Sequence, residues 1–319
     1  MYWITAHNME KQPPLKKAKV WVVGGGKGGT GKTFITSSLG IYLSRRRRKN
    51  VILIDGDLGG ANLHSVFGIK KPEKSLSDFF ESKAALDEVR VETGIENLTL
   101  IASDIHSLAA DHIRYSQKLK LFRHIKKLNA QHILIDVGGG SHYNIIDTFL
   151  FADKGIAVLT PEILAVENMY QFMKNTIYRK LRMTLQASGL RGLAQETWIN
   201  REAKKIGNIR ELIDFFMALP ETGDIIQDAF SNFKIYLILN KIRDMQDVYL
   251  GASIKSTLTK YLGIDVQYVG FLEFDDTIWQ STRHQKPFLI NHSESRFATE
   301  IELFTENLLR GNEINLWEE

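Results

Sequence analysis

The stretch GGGKGGTGKT at residues 24–33 constrains the fold of this chain more than any other feature. Its part from Gly26 to Thr33 matches the pattern G-x-x-x-x-G-K-[ST], with the apolar run VWVV before it and the helical pattern TFITSSLGIYLS after it. A glycine-rich loop between a strand and a helix turns successive backbone N–H groups inward, and the helix start adds its free amides. The stretch therefore predicts a phosphate-binding loop.

The rest of the chain alternates apolar runs of strand length with longer helical patterns. Predicted strands lie at 20–23, 51–55, 98–102, 132–137, 155–161, 234–240 and 266–272. A helix is predicted over 164–182, where Met169, Met173 and Ile177 share one face. Near-continuous apolar strands separated by helices are typical of a parallel sheet covered on both sides. We therefore expect an α/β chain with the three-layer P-loop NTPase fold, a mostly parallel twisted sheet with helices on both faces.

The chain divides into one predicted domain at 19–310, an extension at 1–18 and an acidic tail at 311–319. The extension has no periodicity and contains two adjacent prolines. The interval between Leu181 and Phe233 is too long for a single crossover and contains the helical pattern IRELIDFFMAL. We expect a helical insertion at about 185–230 on one edge of the sheet, which acts either as a partner-binding module or as a lid.

Composition excludes several classes of site. None of the 319 residues is cysteine, which excludes disulfides, thiolate zinc sites, cysteine nucleophiles and iron–sulfur clusters held by thiolates. No apolar run approaches the roughly 20 residues that span a bilayer, and no signal peptide is recognisable, so we expect a cytoplasmic protein. The net charge of +4 is mild. The run Arg45–Arg48 is interpreted as a helix C-terminus, with a surface for DNA or anionic lipid as the alternative.

Most residues of the loop have a direct role in phosphate binding. The backbone amides of Gly26, Gly28, Gly29, Thr30 and Gly31 are predicted to surround the phosphates. Lys32 is predicted to reach the β- and γ-phosphates, and the hydroxyl of Thr33 to ligate Mg²⁺.

Polar residues also end three predicted strands. Asp55 and Asp57 end the second strand, Asp136 ends HILID, and Asn240 ends KIYLILN. The carboxyl ends of parallel strands meet at one edge of a sheet, where ligands bind. Asp136 is predicted to hold Mg²⁺ through water, although an Asp after a lone strand is also an ordinary turn residue.

Lys27 has no role in that scheme, because Lys32 already serves the phosphates. The motif KGGTGKT resembles the deviant phosphate loop of the MinD/ParA family of ATPases. The resemblance implies ATP and Mg²⁺ as cofactors and a homodimer in which Lys27 contacts the nucleotide of the partner subunit. It also implies that Asp57 positions the attacking water, that Asp55 lies near the metal and that Asn240 binds adenine. Hydrolysis is expected to be slow without a stimulating protein partner.

The motif DGDLGGANL and the segments GGGSHYNIIDTFLFAD and TPEILAVENMYQFMK resemble the MinD branch and the flagellar-number regulators FlhG and FleN more than plasmid-partition members. This implies a switch in spatial organisation, with flagellar or polar placement as the leading pathway. Three features depart from the family pattern: Gly60, the wording DVGGG and the long insertion. Two alternatives stay open, a DNA-partitioning ATPase and an ATP-dependent ligase-like enzyme.

The last helical pattern, in FATEIELFTENLLR, has an apolar face but carries Glu300, Glu302 and Glu306 on its polar side. Anionic lipid would repel these carboxylates. We therefore expect this helix to pack on the core, and membrane binding by it is disfavoured.

Overall fold

The structure is a computed structural model, and it describes residues 17–57, 60, 62–103, 114–283 and 285–314. Most of the predicted extension and the last five residues of the predicted tail lie outside the described residues. One sheet contains the strands β1 (Lys19–Gly24), β2 (Val51–Asp55), β3 (Arg90–Ile95), β4 (Leu98–Ile101), β5 (His132–Asp136), β6 (Lys154–Leu159), β7 (Lys234–Ile242) and β8 (Asp265–Glu273). Their order in the sheet is β3-β4-β2-β5-β1-β6-β7-β8.

All neighbouring strands are parallel except β3, which pairs antiparallel with β4. Every residue of β2 and of β5 is buried, because helices cover both faces of these central strands. Strands buried on both faces are selected for continuous apolar sequence, which is why VILID and HILID could be recognised as strands. The predicted mostly parallel sheet is thus confirmed.

The helices lie in two layers. They are α1 (Lys32–Arg45), α2 (Leu63–Val66), α3 (Leu76–Phe80), α4 (Tyr115–Ile125), α5 (Tyr143–Phe151), α6 (Ile163–Ala187), α7 (Leu193–Ile199), α8 (Ile209–Ala218), α9 (Gly223–Ser231), α10 (Met245–Leu262), α11 (Asp276–Arg283), α12 (Phe288–Asn291) and α13 (Arg296–Arg310), with a short 3₁₀ helix at Leu86–Val89. One face of the sheet carries α4, α5, α6 and α10, and the other carries α1 and α13.

The sequence sets the ends of the longer helices. Asp244 caps α10 by accepting the Asp247 N–H, and Gly263 ends the helix with φ at 66°. Ser295 caps α13 through the Ala298 N–H, and Gly311 ends it with φ at 75°. Side-chain oxygens at the N-cap and glycine in the left-handed region just past the end satisfy groups that a helix leaves unpaired.

α13 buries Phe297, Ile301, Phe304 and Leu308 against α1 and β8. On its polar side, Glu302 and Glu306 accept hydrogen bonds from the Tyr42 hydroxyl at 3.1 Å each. The helix is therefore part of the folded domain, as its apolar stripe predicted. Within the described residues, no helix is long and apolar enough to cross a bilayer.

The predicted insertion contains α7, α8 and α9. These helices pack on α6 and α10 over one face of the sheet. Their apolar residues, including Ile209, Leu212 and Phe216, are buried and continue the core of that face. The insertion is thus attached to the domain along a packed surface.

Both edges of the sheet are modified. At one edge, the register of β3 with β4 shifts between Glu92 and Ile95. At the other, the Tyr268 carbonyl of β8 accepts the N–H of Ile314 at 2.9 Å, and the Val269 carbonyl accepts the Asn307 side-chain amide at 2.9 Å. Outward-facing backbone groups of the edge strand are thereby occupied.

Candidate nucleotide-binding site

The carboxyl ends of β1, β2 and β5 form the centre of the site. Asp55 and Asp136 are direct register partners across β2 and β5, and Val23 of β1 is the partner of Asp136 on the other side. The segment that follows β2 is joined to the end of β5 by a hydrogen bond. Gly56 N–H donates to the Asp136 carbonyl at 2.7 Å. The predicted convergence of strand-end residues at one edge is therefore observed for these strands.

The phosphate loop between β1 and α1 depends on glycine at particular positions. Gly29 and Gly31 have φ of 78° and 92°, a region that L-residues with side chains rarely adopt. Gly26 lies against the backbone of α6, where an added Cβ would come within 2.0 Å of the Asn168 carbonyl oxygen. A Cβ at Gly28 would meet nothing within 4 Å. The loop is thus packed at its start and open at its middle.

The two lysines of the loop point to different surroundings. Lys32 is buried, and its Nζ donates to the Lys27 carbonyl oxygen at 3.0 Å. Burial lowers the pKa of Lys32, although the charges of Asp136 and Asp57 act in the opposite direction. The Lys27 side chain leaves the loop and pairs with Glu162 at 3.0 Å between Nζ and Oε2, with 38% and 62% of the two side chains exposed. Only Lys32 therefore reaches into the loop.

Asp136 and Asp55 are both buried beside the start of α1. Asp136 accepts a hydrogen bond from the Thr33 hydroxyl at 2.6 Å and one from Thr36 at 3.3 Å. Asp55 accepts the backbone N–H groups of Leu63 at 3.0 Å and Asp57 at 3.2 Å. Asp136 is thus held against the start of α1, and Asp55 is held by the segment that follows β2.

The burial of these two carboxylates favours the binding of a cation beside them. Burial raises the pKa of Asp55, and the neighbouring charge of Asp136 raises it further. Burial also raises the pKa of Asp136, against the lowering effects of Thr33 and Lys32. Burial thus disfavours the ionised forms of both carboxyl groups in the chain alone, and a divalent metal bound beside them would stabilise those ionised forms. The hydroxyl of Thr30, buried and without a hydrogen-bond partner among the described residues, offers a further polar group to an anion.

Asp57 lies in a crowded place, and two glycines make room for it. Its Oδ1 accepts the Gly60 N–H at 3.1 Å. A Cβ at Gly60 would lie 3.1 Å from Asp57 Oδ2, and one at Gly138 would lie 2.9 Å from Oδ1. Gly60 and the sequence DVGGG, which contains Gly138, therefore both leave room for this carboxylate. The neighbouring positions 58, 59 and 61 lie outside the described residues.

Asn240 lies near the end of β7 and bonds to the phosphate loop. Its Nδ2 donates to the Thr30 carbonyl at 2.8 Å, and its Oδ1 accepts the Lys241 N–H at 2.9 Å. The Lys241 ammonium group donates to the Gly29 carbonyl at 3.0 Å. Asn240 therefore supports the loop in the chain alone, and its predicted contact with adenine stays a prediction.

Sequence reasoning missed three residues of the site: Thr36, Glu162 and Lys241. Thr36 and Lys241 are each next to a recognised motif, so their side chains had no separate signal. Glu162 could have been found, because it lies three residues after the end of β6, and β6 is the neighbour of β1 in the sheet.

Comparison with known proteins identifies the family. The model of the CobQ/CobB/MinD/ParA nucleotide-binding domain matches residues 21–288. The chain belongs to this family. The match spans β1 to α12 and so includes every site residue named above.

Two curated relatives extend this result. The MinD septum site-determining protein of Synechocystis sp. is 31% identical over 152 residues, which are 47% of this chain and 56% of that protein. An ATP-binding protein of Methanocaldococcus jannaschii is 30% identical over 125 residues, 39% of this chain and 44% of that protein. The chain spans about half the length of the curated relatives it matches.

Solved structures support the fold. The cell-division ATPase MinD of Pyrococcus furiosus has a TM-score of 0.63 at 20% identity, covering 92% of this chain and 99% of that one. MinD of Pyrococcus horikoshii, solved with Mg-ADP, has a TM-score of 0.63 at 21% identity and covers 92% and 98%. MinD in a MinC:MinD complex of Aquifex aeolicus has a TM-score of 0.61 at 20% identity and covers 94% and 99%. At such identities the likeness concerns the fold.

Proposed function

We propose that this chain is an ATP-binding and ATP-hydrolysing switch that forms a homodimer around the nucleotide. The observation that carries the proposal is the placement of the two lysines. Lys32 is buried in the loop, whereas Lys27 extends from the same loop to the surface, where Glu162 holds it. A second cation at the rim of a phosphate site serves phosphates that a neighbouring molecule brings to it, as an arginine finger does.

Within one subunit, the loop amides and Lys32 would hold the β- and γ-phosphates. The Thr33 hydroxyl and Asp136 would hold Mg²⁺, with Asp55 behind them. The metal, when bound, would neutralise charge on the phosphate oxygens. Asp57, which Gly60 and Gly138 leave free to approach, would orient the attacking water. Phosphoryl transfer requires mainly such positioning and electrostatic stabilisation.

An apolar surface next to Lys27 supports contact with a second copy. Ile163 and Leu164, the first residues of α6, are 78% and 61% exposed. They follow Glu162 directly, so a molecule that approaches Lys27 also covers them. Exposed apolar side chains beside a functional group commonly mark an interaction site.

The cellular role that we infer is spatial organisation in the cytoplasm, with flagellar number or polar placement as the leading pathway. The motif DGDLGGANL, which contains Asp55 and Asp57, supports this role because it resembles the corresponding motif of MinD and the flagellar-number regulators. A protein partner that accelerates hydrolysis belongs to the proposal. The Mg-ADP complex of the Pyrococcus horikoshii protein and the MinC complex of the Aquifex aeolicus protein are consistent with it.

The mass of the protein in solution tests the proposal, measured by light scattering with Mg²⁺ and a nonhydrolysable ATP analogue. The wild type should double its mass. Lys27→Ala should bind the analogue but stay monomeric, and Lys32→Ala should lose analogue binding. Lys70→Ala, which removes an exposed lysine outside the site, serves as the control and should behave as the wild type. A wild type that stays monomeric when saturated, or a Lys27→Ala variant that still dimerises, would refute the shared site.

A second candidate function is DNA partitioning. Arg45, Arg46 and Arg48 are exposed at the end of α1, and in the described part of the chain no ion pair involves them. DNA binding through these residues would weaken steeply with salt. Replacing the three arginines with Gln should then abolish binding to a duplex; unchanged affinity would exclude this candidate.

A further inference from the structure

A surface formed by α4, α5, α6 and α7 combines aromatic rings with cations. On α4, Lys118 lies over the ring of Tyr115 at 5.5 Å. At the start of α5, Tyr143 has Arg179 of α6 over its ring at 5.0 Å. The exposed fractions of Tyr115 and Tyr143 are 61% and 60%. These two aromatic residues therefore present much of their surface to solvent, each backed by a cation.

The same arrangement continues onto the insertion. Tyr178 of α6 has Arg182 over its ring at 5.9 Å. Its ring centre lies 6.4 Å from that of Trp198 in α7, which in turn has Arg201 over it at 5.1 Å. We call these four cation–aromatic pairs the aromatic strip. It runs from α4 across α5 and α6 to α7.

Asp147 holds two cations of the strip, Lys118 and Arg179, in place. It is buried and accepts hydrogen bonds from Lys118 at 2.5 Å and from Arg179 at 2.7 and 3.0 Å. Burial by itself would raise the pKa of Asp147, but the bonds from Arg179 and Lys118 lower it below its usual value. Because one carboxylate faces two cations there, and Arg182 and Arg201 add two more, the strip carries net positive charge.

We propose that the aromatic strip is the docking surface for a protein partner that presents acidic and apolar side chains together. Exposed Tyr with Trp and Arg is the composition typical of binding hot spots. The cations are recessed, since Lys118 is buried and Arg179, Arg182 and Arg201 are half-buried. Tyr115 and Tyr143 extend outward, whereas Tyr178 and Trp198 are half-buried against the core. Apolar side chains of the partner would therefore contact the protruding rings, and its acidic side chains would complement the positive charge behind them.

This arrangement favours a protein over a nucleic acid. Phosphate backbones are usually bound by cations whose charged ends are freely exposed. In this chain such cations are at Arg45, Arg46 and Arg48, on the other face of the sheet. The inference deepens the proposed function, since it rests on the chain recruiting a protein and assigns the surface for it.

The strip also adjoins the nucleotide site. Tyr143 is reached from Asp136 by the loop 137–142. Within this loop Gly140 N–H donates to the Gly25 carbonyl at 3.2 Å, and a Cβ at Gly139 would lie 2.5 Å from Gly28 N. A shift of the phosphate loop would therefore displace the loop 137–142 and, with it, the start of α5. This contact gives a physical route by which partner and nucleotide could affect each other.

The experiment measures anisotropy of labelled probes with nucleotide-free protein, so that it does not depend on dimerisation. The probes are a peptide of about 20 residues built from Glu, Asp, Leu and Phe, the same peptide with Lys at every acidic position, and an oligo-dT of similar length. The variants are Tyr115→Ala and Tyr143→Ala. Tyr261→Ala is the matched control, because Tyr261 is 45% exposed and also has a cation, Lys260, over its ring at 5.3 Å, but lies on α10.

We expect the acidic peptide to bind the wild type and Tyr261→Ala equally, and each strip variant to bind it roughly tenfold more weakly. The lysine peptide should not bind. Absence of acidic-peptide binding, or equal binding by all variants, would overturn the proposal. Oligo-dT binding that depends on Tyr143 would replace it with a nucleic-acid surface, and altered self-association of the strip variants would replace it with a contact between copies.

These outcomes are separable from those of the proposed function. Lys27→Ala should bind the acidic peptide as the wild type does, and Tyr143→Ala should still dimerise with the ATP analogue. Thermal melting of each variant shows whether it is folded. If Tyr143→Ala does not fold, Tyr143→Phe, which keeps the ring, should bind the peptide within about twofold of the wild type; loss of binding in a folded Tyr143→Phe would contradict a role for the ring.

Discussion

In the dimer proposed above, Glu162 would compete with the partner's nucleotide for Lys27. In the single chain the Lys27 ammonium group is paired with Glu162, so contact with a partner's phosphates requires this pair to separate. Because both side chains are more than one-third exposed, water and salt screen the pair, and its contribution is at most about 1 kcal/mol. The pair can thus orient Lys27 without preventing its side chain from moving to the phosphates of a second subunit.

The first prediction concerns this pair. Glu162→Gln should strengthen dimerisation with Mg²⁺ and a nonhydrolysable ATP analogue by about two- to fivefold, because the competing charge is removed. Sedimentation equilibrium measures the dimer dissociation constant, with Glu167→Gln, on the same helix, as the control. A weaker dimer would mean that Glu162 itself contacts the other subunit.

The second prediction concerns Asp136, whose ionised form is disfavoured by burial in the folded chain. Asp136→Asn should raise the melting temperature of the nucleotide-free protein by about 2–4 °C, since the amide can keep its contacts with Thr33 and Thr36 without a buried charge. The same variant should lose Mg²⁺-dependent ATP binding in calorimetry. A lower melting temperature would show that the carboxylate stabilises the fold.

At the scale of single residues, the sequence indicated a glycine-rich loop between β1 and α1, which is observed, but not the side chains that contact this loop. The glycines of the loop and Lys32 form a fixed pattern because backbone geometry and phosphate contact demand those residue types. The bond from Asn240 to the Thr30 carbonyl and the pairing of Lys27 with Glu162 had no such pattern. They arise only when the strand order places β6 and β7 on the same side of β1.

Among the elements, the strands buried on both faces were the easiest to predict. The prediction at 51–55 coincides with β2, and that at 132–137 exceeds β5 by one residue. β3 was missed. It is half-exposed, contains Gly94 with φ at 77°, and has an irregular register with β4, so neither an apolar run nor a clean alternation marked it. Its stability comes from pairing with β4 rather than from local sequence.

The third prediction tests the contact between the phosphate loop and α6. Gly26→Ala would place a Cβ within 2.0 Å of the Asn168 carbonyl oxygen, whereas Gly28→Ala would meet nothing within 4 Å. We expect Gly26→Ala to destabilise the protein by several kcal/mol, or to displace the loop from α6, and to lose ATP binding. Gly28→Ala should be folded. Urea unfolding and ATP titration measure both, and equal behaviour of the two variants would contradict this packing.

For the molecule as a whole, His132 at the start of β5 links stability to pH. It is buried against Trp21, with ring centres 5.2 Å apart, and neither ring nitrogen has a hydrogen-bond partner among the described residues. Burial lowers the pKa of His132 to about 4, with a further contribution from the charges of Lys19 and Lys49. The folded chain therefore keeps this ring neutral while the unfolded chain protonates it.

The fourth prediction follows from that difference. As the pH falls from the unfolded pKa of about 6.5 towards 4, only the unfolded state gains this proton, so the free energy of unfolding should decrease by about 3 kcal/mol from this residue. His132→Phe should remove that part of the decrease. Urea unfolding at pH 7 and pH 4.5 measures it for both proteins. The same pH dependence in both would show that other groups cause the acid sensitivity.

The two modified edges of the sheet limit how copies of this chain can join. A sheet grows from molecule to molecule only where a strand offers a row of free backbone groups. Here the register shift in β3 interrupts one such row, and Asn307 and Ile314 occupy carbonyls on β8. Open-ended polymerisation through strand addition is thereby discouraged. In the proposed dimer, contacts between copies would therefore be made by side chains and the shared nucleotide, so the assembly would come apart when that nucleotide is hydrolysed.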